Sequence, residues 1–378
     1  MADADPSRPP KSALPLPPQV ALVLQGGGAL GSYQAGVYEA LNAAGVAPNW
    51  VAGISIGAVN AAIIAGNPPE RRVERLRAFW NNASSQLPSF PIWPDDNIRE
   101  FLHEWSAGFV AMAGIPGFFS PRLLPPVFAP PGSCDALSFY DSAPLAKTLD
   151  ALVDWDLLNT GPVRLSVGAV DVESGNFRYF DTCTDRLDAQ HVMASGALPP
   201  GLPPVEIDGR WYWDGGIVSN TPLQQVLDGQ REEMLVFQVD LFSATGARPK
   251  TILDVWARQK EIQYSSRTRQ TTDQMLATRK ARALTARVLK RLPEDMRDDP
   301  DVKRLMAMAE EKPVSVVHLI YRANAWEGGS RDYEFSRRTM EEHWAAGGAA
   351  VADTMRESAV IARNIVDGAV ASFDLTRR

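Results

Sequence analysis

Ser55 lies in the string Gly53-Ile54-Ser55-Ile56-Gly57, which has the form G-x-S-x-G. Residues 49–54 before it read as a strand, and residues 56–65 after it, apolar on every side, read as a buried helix. That is the setting of a nucleophile elbow, in which glycines permit a sharp turn that lifts a serine hydroxyl above the carboxyl edge of a sheet. The following helix aims its positive end at charge developing on that hydroxyl. Outside such a setting the same letters describe a tight turn with a serine helix cap. A second string, Gln25-Gly26-Gly27-Gly28-Ala29-Leu30-Gly31, follows a strand at 19–25 and opens a helix at 31–44. Gly26, Gly28 and Gly31 satisfy the dinucleotide fingerprint G-x-G-x-x-G, but that fingerprint also needs an acid at the end of the second strand. The second strand ends Val51-Ala52-Gly53-Ile54-Ser55, with no acid. The glycine loop instead fits an oxyanion hole of bare backbone N–H groups. A third string, Trp213-Asp214-Gly215-Gly216, offers a carboxylate in a flexible turn. It is either the base that a serine nucleophile requires or an ordinary Asp-Gly turn.

Strand, helix, strand and helix in close succession imply an α/β fold with a mostly parallel sheet and helices on its faces. Further strands are expected at 163–171, 177–180, 234–240 and 314–321, and helices at 251–291 and 336–367. Between Asn81 and Tyr140 the pattern dissolves into nine prolines and many aromatics, among them Phe90, Trp93, Phe101, Trp105, Phe118 and Phe119. A stretch of this length without periodicity is a lid over the site or an insertion packed on the core.

The chain has 378 residues, 45% apolar and 22% charged, which is ordinary for a folded protein. A net charge of -7 argues against nucleic acid as a partner. Cys134 and Cys183 give neither a disulfide framework nor a metal pair, and are expected as buried thiols in a reducing compartment. No cluster of ligating residues calls for a metal, and no cofactor is expected. Residues 1–18, rich in proline, read as a loose arm without the pattern of a signal peptide. The longest apolar run, 51–65, is too short to span a bilayer, so a cytoplasmic protein is expected, with peripheral membrane contact left open. Residues 251–291 carry ten Lys and Arg against three Asp and Glu, a basic helix for an anionic membrane surface or simply a solvated face.

Taken in order, the Gly26–Gly31 string, the Ser55 elbow, Ala194-Ser195-Gly196-Ala197-Leu198-Pro199, and Asp214-Gly215-Gly216 with Ser219-Asn220-Thr221-Pro222-Leu223 resemble the patatin-like phospholipase family. The resemblance covers about residues 20–240. It implies a patatin-like three-layer fold and a Ser–Asp dyad in which Ser55 is nucleophile and Asp214 base. It also implies an oxyanion hole built from Gly26, Gly27, Gly28 and Ile56. The domain division it implies is a catalytic domain at 19–245 and, at 246–378, the largely helical extension of one bacterial branch of the family. Many relatives carry an arginine or lysine in the glycine loop where this chain has Leu30.

The order Ser55, Asp214, His318 is also that of an α/β-hydrolase triad, although such folds place several strands before the elbow. Without a histidine, Asp214 must both take and return the proton, which requires a partly desolvated carboxyl of raised pKa; Trp211, Tyr212 and Trp213 are candidates to shield it. Two functional classes follow. One is a serine acyl hydrolase of phospholipid, neutral lipid or hydroxyalkanoate polyester. The other is a non-catalytic binding or scaffold protein on the same fold.

Overall fold

The computed structural model describes residues 14–85, 96–246, 248–309, 311–323, 327 and 331–376. Its strands are β1 (Gln19–Leu24), β2 (Trp50–Gly53), β3 (Ser120–Pro121), β4 (Tyr140–Asp141), β5 (Arg164–Asp171), β6 (Phe177–Asp181), β7 (Val205–Ile207), β8 (Arg210–Asp214), β9 (Met234–Asp240), β10 (Val314–Ile320) and β11 (Val370–Asp374). β3 and β4 form a separate hairpin. The others form one sheet in the order β11-β10-β9-β1-β2-β5-β8-β7, with β6 on β5. From β11 to β5 the neighbours are parallel, and β6, β7 and β8 add an antiparallel end.

The parallel strands are apolar throughout because both faces are covered. Val20, Leu22 and Leu24 of β1, with Leu235, Phe237 and Val239 of β9, enter the larger core. Ala21 and Val23, with Met234 and Val236, enter a smaller core on the other face.

The helices are α1 (Gly31–Ala43), α2 (Ile56–Ala65), α3 (Arg72–Ala83), α4 (Asp96–Ala113), α5 (Ala143–Leu152), α6 (Trp155–Thr160), α7 (Ala189–Ser195), α8 (Leu223–Asp228), α9 (Ile252–Leu289), α10 (Glu294–Arg297), α11 (Pro300–Met308), α12 (Arg337–Arg356) and α13 (Ser358–Val366). α1 to α3 and α12 build the larger core, whereas Leu223, Val226 and Leu227 of α8 and Leu276 of α9 cover the second face. Three layers result. α2 is buried along its whole length, and its one polar side chain, Asn60, is fully bonded to Gly31 O, Gln34 Oε1 and Trp80 Nε1–H at 2.9, 2.9 and 3.0 Å.

Several expectations are corrected. The chain beyond residue 245 is largely helical, as expected, and also adds two strands, β10 and β11, to the same sheet. Residues 336–367 form two helices, α12 and α13, that meet at Glu357. Within 81–140, α4 provides regular structure; Phe90 and Trp93, and the side chain of Phe101, lie outside the described residues. Of the expected arm, Leu14 is buried in the core. Both cysteines are exposed: Cys134 opens a short turn of the aromatic segment, and Cys183 sits in the turn after β6.

Candidate active site

The elbow is strained. Ser55 has φ 56°, a left-handed conformation that an L-residue adopts at a cost of order 1 kcal/mol. The glycines around it are required by close approach: a Cβ on Gly53 would stand 2.2 Å from Gly57 O, and one on Gly57 2.3 Å from Leu24 O. The turn is pinned from the side, because Ser55 N–H donates to both the carbonyl and the hydroxyl oxygen of Ser195, each at 3.1 Å. Two residues on, Ala197 O accepts from Asp214 N–H at 3.0 Å. The segment 194–199 therefore registers the elbow against β8, a positioning role that its letters alone do not declare.

Asp214 ends β8 and is 2% exposed. Burial pushes its carboxyl up to about 7, while hydrogen bonds from Gly216 N–H, at 2.7 Å, and from the Ser55 hydroxyl pull the other way. Of the three aromatics before it, Tyr212 is buried with Phe180 in the core, whereas Trp211 and Trp213 are only half-buried. Residues beyond 245 reach the same cavity: the phenols of Tyr264 and Tyr333 lie within the field of Asp214, and both are raised above the ordinary tyrosine value, although Tyr333 is 46% exposed.

The glycine loop meets this pair at the carboxyl edge of β1. Gly27, Gly28 and Ile56 have backbone N–H groups with no hydrogen bond among the described residues, the last two because they open helical turns. Gly26 does not share this property. Its N–H donates to Asn220 O at 3.2 Å and its carbonyl accepts from Asn220 Nδ2 at 2.9 Å, so Asn220 ties the loop to the turn after Asp214. The expected set of four open amides narrows to three for this reason. Leu30 is fully buried.

Ser55, Asp214 and the loop open into a cavity of about 180 Å³. One wall comes from Phe118, Phe119, Tyr140 and the 198–202 turn, the other from Phe242, Lys260, Tyr264, Asp332, Tyr333 and Phe335. His318 is elsewhere. It pairs with Gln238 of β9, which pairs with Val23 of β1, which pairs with Ala52 of β2. Three strand spacings of ~4.8 Å put its backbone roughly 14 Å from β2. Its ring faces Asp240 at 3.4 Å. His191 belongs to the capping box of α7 with Asp188. Among the described residues there is no group of three or more side chains suited to a metal, and no helix is long and apolar enough to cross a membrane.

A serine at a strained strand-to-helix turn, bonded to a buried aspartate beside open amides, defines a nucleophile-elbow site on a three-layer α/β fold. Residues 22–227, more than half of the chain, match the family model described as patatin-like phospholipase, and residues 262–365 match one described as patatin phospholipase. The chain belongs to the patatin-like phospholipase family. A search of curated proteins found no match. Among solved structures, VipD from Legionella pneumophila aligns at 18% identity and TM-score 0.36 over 86% of this chain and 66% of that one. Human GIVD cytosolic phospholipase A2 aligns at 11% and 0.41, over 93% of this chain and 60% of that one. The chain thus spans less than two thirds of either, and the fold assignment rests on the family match and the sheet topology.

Proposed function

We propose that the protein is a serine acyl hydrolase of lipid esters that works through a Ser55–Asp214 dyad. The observation that carries this reading is the Asp214 carboxyl, buried, raised to about 7 and hydrogen-bonded to the hydroxyl of a strained serine. A base needs a pKa near the working pH, and such help is worth about a hundred- to ten-thousandfold in rate. Asp214 takes the proton as Ser55 Oγ bonds to the ester carbonyl carbon. The oxygen of the tetrahedral adduct becomes negative beside the N–H groups of Gly27, Gly28 and Ile56. As the adduct collapses, the C–O bond to the alcohol breaks and Asp214 returns the proton to the leaving oxygen. Water, deprotonated by the same carboxylate, then cleaves the acyl-serine and restores Ser55.

The scaffold alternative has no use for the strain at Ser55 or for a desolvated carboxyl, both of which oppose folding. The triad alternative is opposed by the place of His318, whose backbone lies roughly 14 Å from β2. The lipid part of the reading is supported by the apolar approach to the cavity. The segment that brings Phe118 and Phe119 to the cavity exposes Trp105, Met112, Leu123, Val127, Phe128 and Phe139. We read it as the face laid on a lipid surface. The basic face of α9 is a poorer candidate, since Arg258, Lys260 and Arg279 are paired with Glu261, Asp332 and Glu311.

The test is Ser55→Ala assayed with a fluorophosphonate probe and a short-chain ester. Labelling and turnover both disappear while the thermal melt persists; turnover surviving in a clean preparation overturns the assignment.

A further inference from the structure

The cavity takes its far wall from outside the 22–227 match, and that wall is charged. Lys260, on α9, is the one cation among the described residues that line it. Its ammonium is ion-paired with Asp332 and lies 4.8 Å from the centre of the Tyr333 ring. Asp332 is fixed to the glycine loop by its own backbone: its carbonyl accepts from Ala29 N–H at 2.9 Å and packs on Gly28, where a Cβ would come within 2.2 Å of it. The ammonium therefore stands one aspartate side chain away from a loop that carries two open amides. An ammonium has three donors, and the contacts to one carboxylate and one ring face leave donor capacity for a further anion.

Resting on the acyl-hydrolase reading, we infer that Lys260 is a specificity-determining residue that binds an anionic group a few bonds from the scissile ester, the phosphodiester of a glycerophospholipid, with Asp332 holding the ammonium in place when the site is empty. Asp332 also competes with that anion, because its carboxylate neutralises the lysine. Two opposite effects follow. Loss of the lysine lowers selection for the anionic ester, and loss of the Asp332 charge raises it. Selection is then carried by the second half of the chain, while the reacting atoms belong to the first.

The experiment compares full-length protein with Lys260→Met, Lys260→Arg and Asp332→Asn, using dihexanoylphosphatidylglycerol and neutral dihexanoylglycerol. For Lys260→Met, the ratio of kcat/KM between the anionic and neutral esters falls about tenfold or more, mainly through KM, the scale of one lost charged hydrogen bond. Lys260→Arg recovers most of the ratio, and Asp332→Asn raises it. An equal loss on both esters, as from a collapsed wall, overturns the inference, as does an unchanged ratio or a fall with Asp332→Asn. A second arm needs no turnover. In the Ser55→Ala background, calorimetric binding of dihexanoylphosphatidylglycerol weakens about tenfold when Lys260→Met is added. If that difference is found while the parent cleaves neither ester, the hydrolase reading fails and the lysine site stands. If the parent cleaves both esters but binding ignores Lys260, the lysine site fails alone.

Discussion

The two halves of the sheet contribute different things to one cavity. From β1 to β8 come the elbow serine, the aspartate and the open amides, each on a turn at the end of a strand. From β9 onward come aromatic rings and one ion pair, none of them on the strands themselves. The first half holds groups fixed by backbone strain at the elbow and by hydrogen bonds with Ser195, Ala197 and Asn220. The second half holds groups brought in by packing over long distances in sequence. We read the first half as carrying the chemistry and the second as setting the shape and field around it, through a wall that meets the glycine loop at Asp332.

Asp214→Asn strikes hardest at this division, since it alters one atom type at the first half's centre. Turnover of a short-chain ester falls at least about a hundredfold, because an amide cannot take the Ser55 proton. In the parent, kcat/KM rises with pH through about 7 as Asp214 ionises. Stability moves oppositely. Between the ordinary carboxyl value of 3.8 and about 7 the native state holds a proton that the unfolded chain releases. Stability therefore declines with rising pH across that window, by at most about 1.4 kcal/mol per unit. Thermal melts of Asp214→Asn lack this component, and an unchanged pH slope would contradict the raised carboxyl.

Gly28→Ala probes the seam between the halves. The added methyl meets Asp332 O at a backbone with φ +55°, so loop and wall must separate. We expect at least about a tenfold loss of turnover and roughly 1–3 kcal/mol of stability. Full activity with an unchanged melting temperature would show that the wall does not lean on the loop. A smaller and more selective effect is expected from Leu123→Ser, Val127→Ser and Phe128→Ser combined. These side chains are exposed, so the fold persists, but hydrolysis and binding of lipid vesicles fall several-fold while a soluble ester is cleaved as before. Equal vesicle binding by parent and variant would remove the lipid-facing role. The smallest effect is that of His318→Ala, which stays within a few-fold of the parent in turnover; a folded but inactive variant would restore the triad.

The same division decides what the sequence discloses. Ile56–Ala65 and Met234–Asp240 are legible because their apolar runs match elements buried on all sides. Ser55 and Asp214 are legible because glycines mark both turns. α4 is not legible: among its described side chains, apolar residues lie both on an inner side, Ala107 and Val110, and on an outer one, Trp105 and Met112. β11 is a short strand of half-exposed residues, and the break at Glu357 has neither glycine nor proline to signal it. Lys260, Tyr264, Asp332 and Tyr333 share no motif, and only the docking of α9 and residues 331–335 onto the glycine loop makes them neighbours. That the Gly26 amide is occupied is hidden in the same way, since it depends on where Asn220 lands.

The pairing of β1 with β9 has a consequence for how the molecule comes into being. Ala21 and Leu22 lie beside Trp50 and Val51, one helical crossover away in sequence, but their other neighbours are Val236 and Phe237. Contacts between residues so far apart in sequence form slowly, because a long loop must close before they repay it. During synthesis the elbow and the glycine loop are available early, yet one edge of β1 stays open until β9 has emerged. Refolding should therefore show a compact, inactive species with β1 and β2 joined, and recovery of the site should track the slow closure of β1 on β9. The open edge of that species is the point at which this chain is most exposed to aggregation.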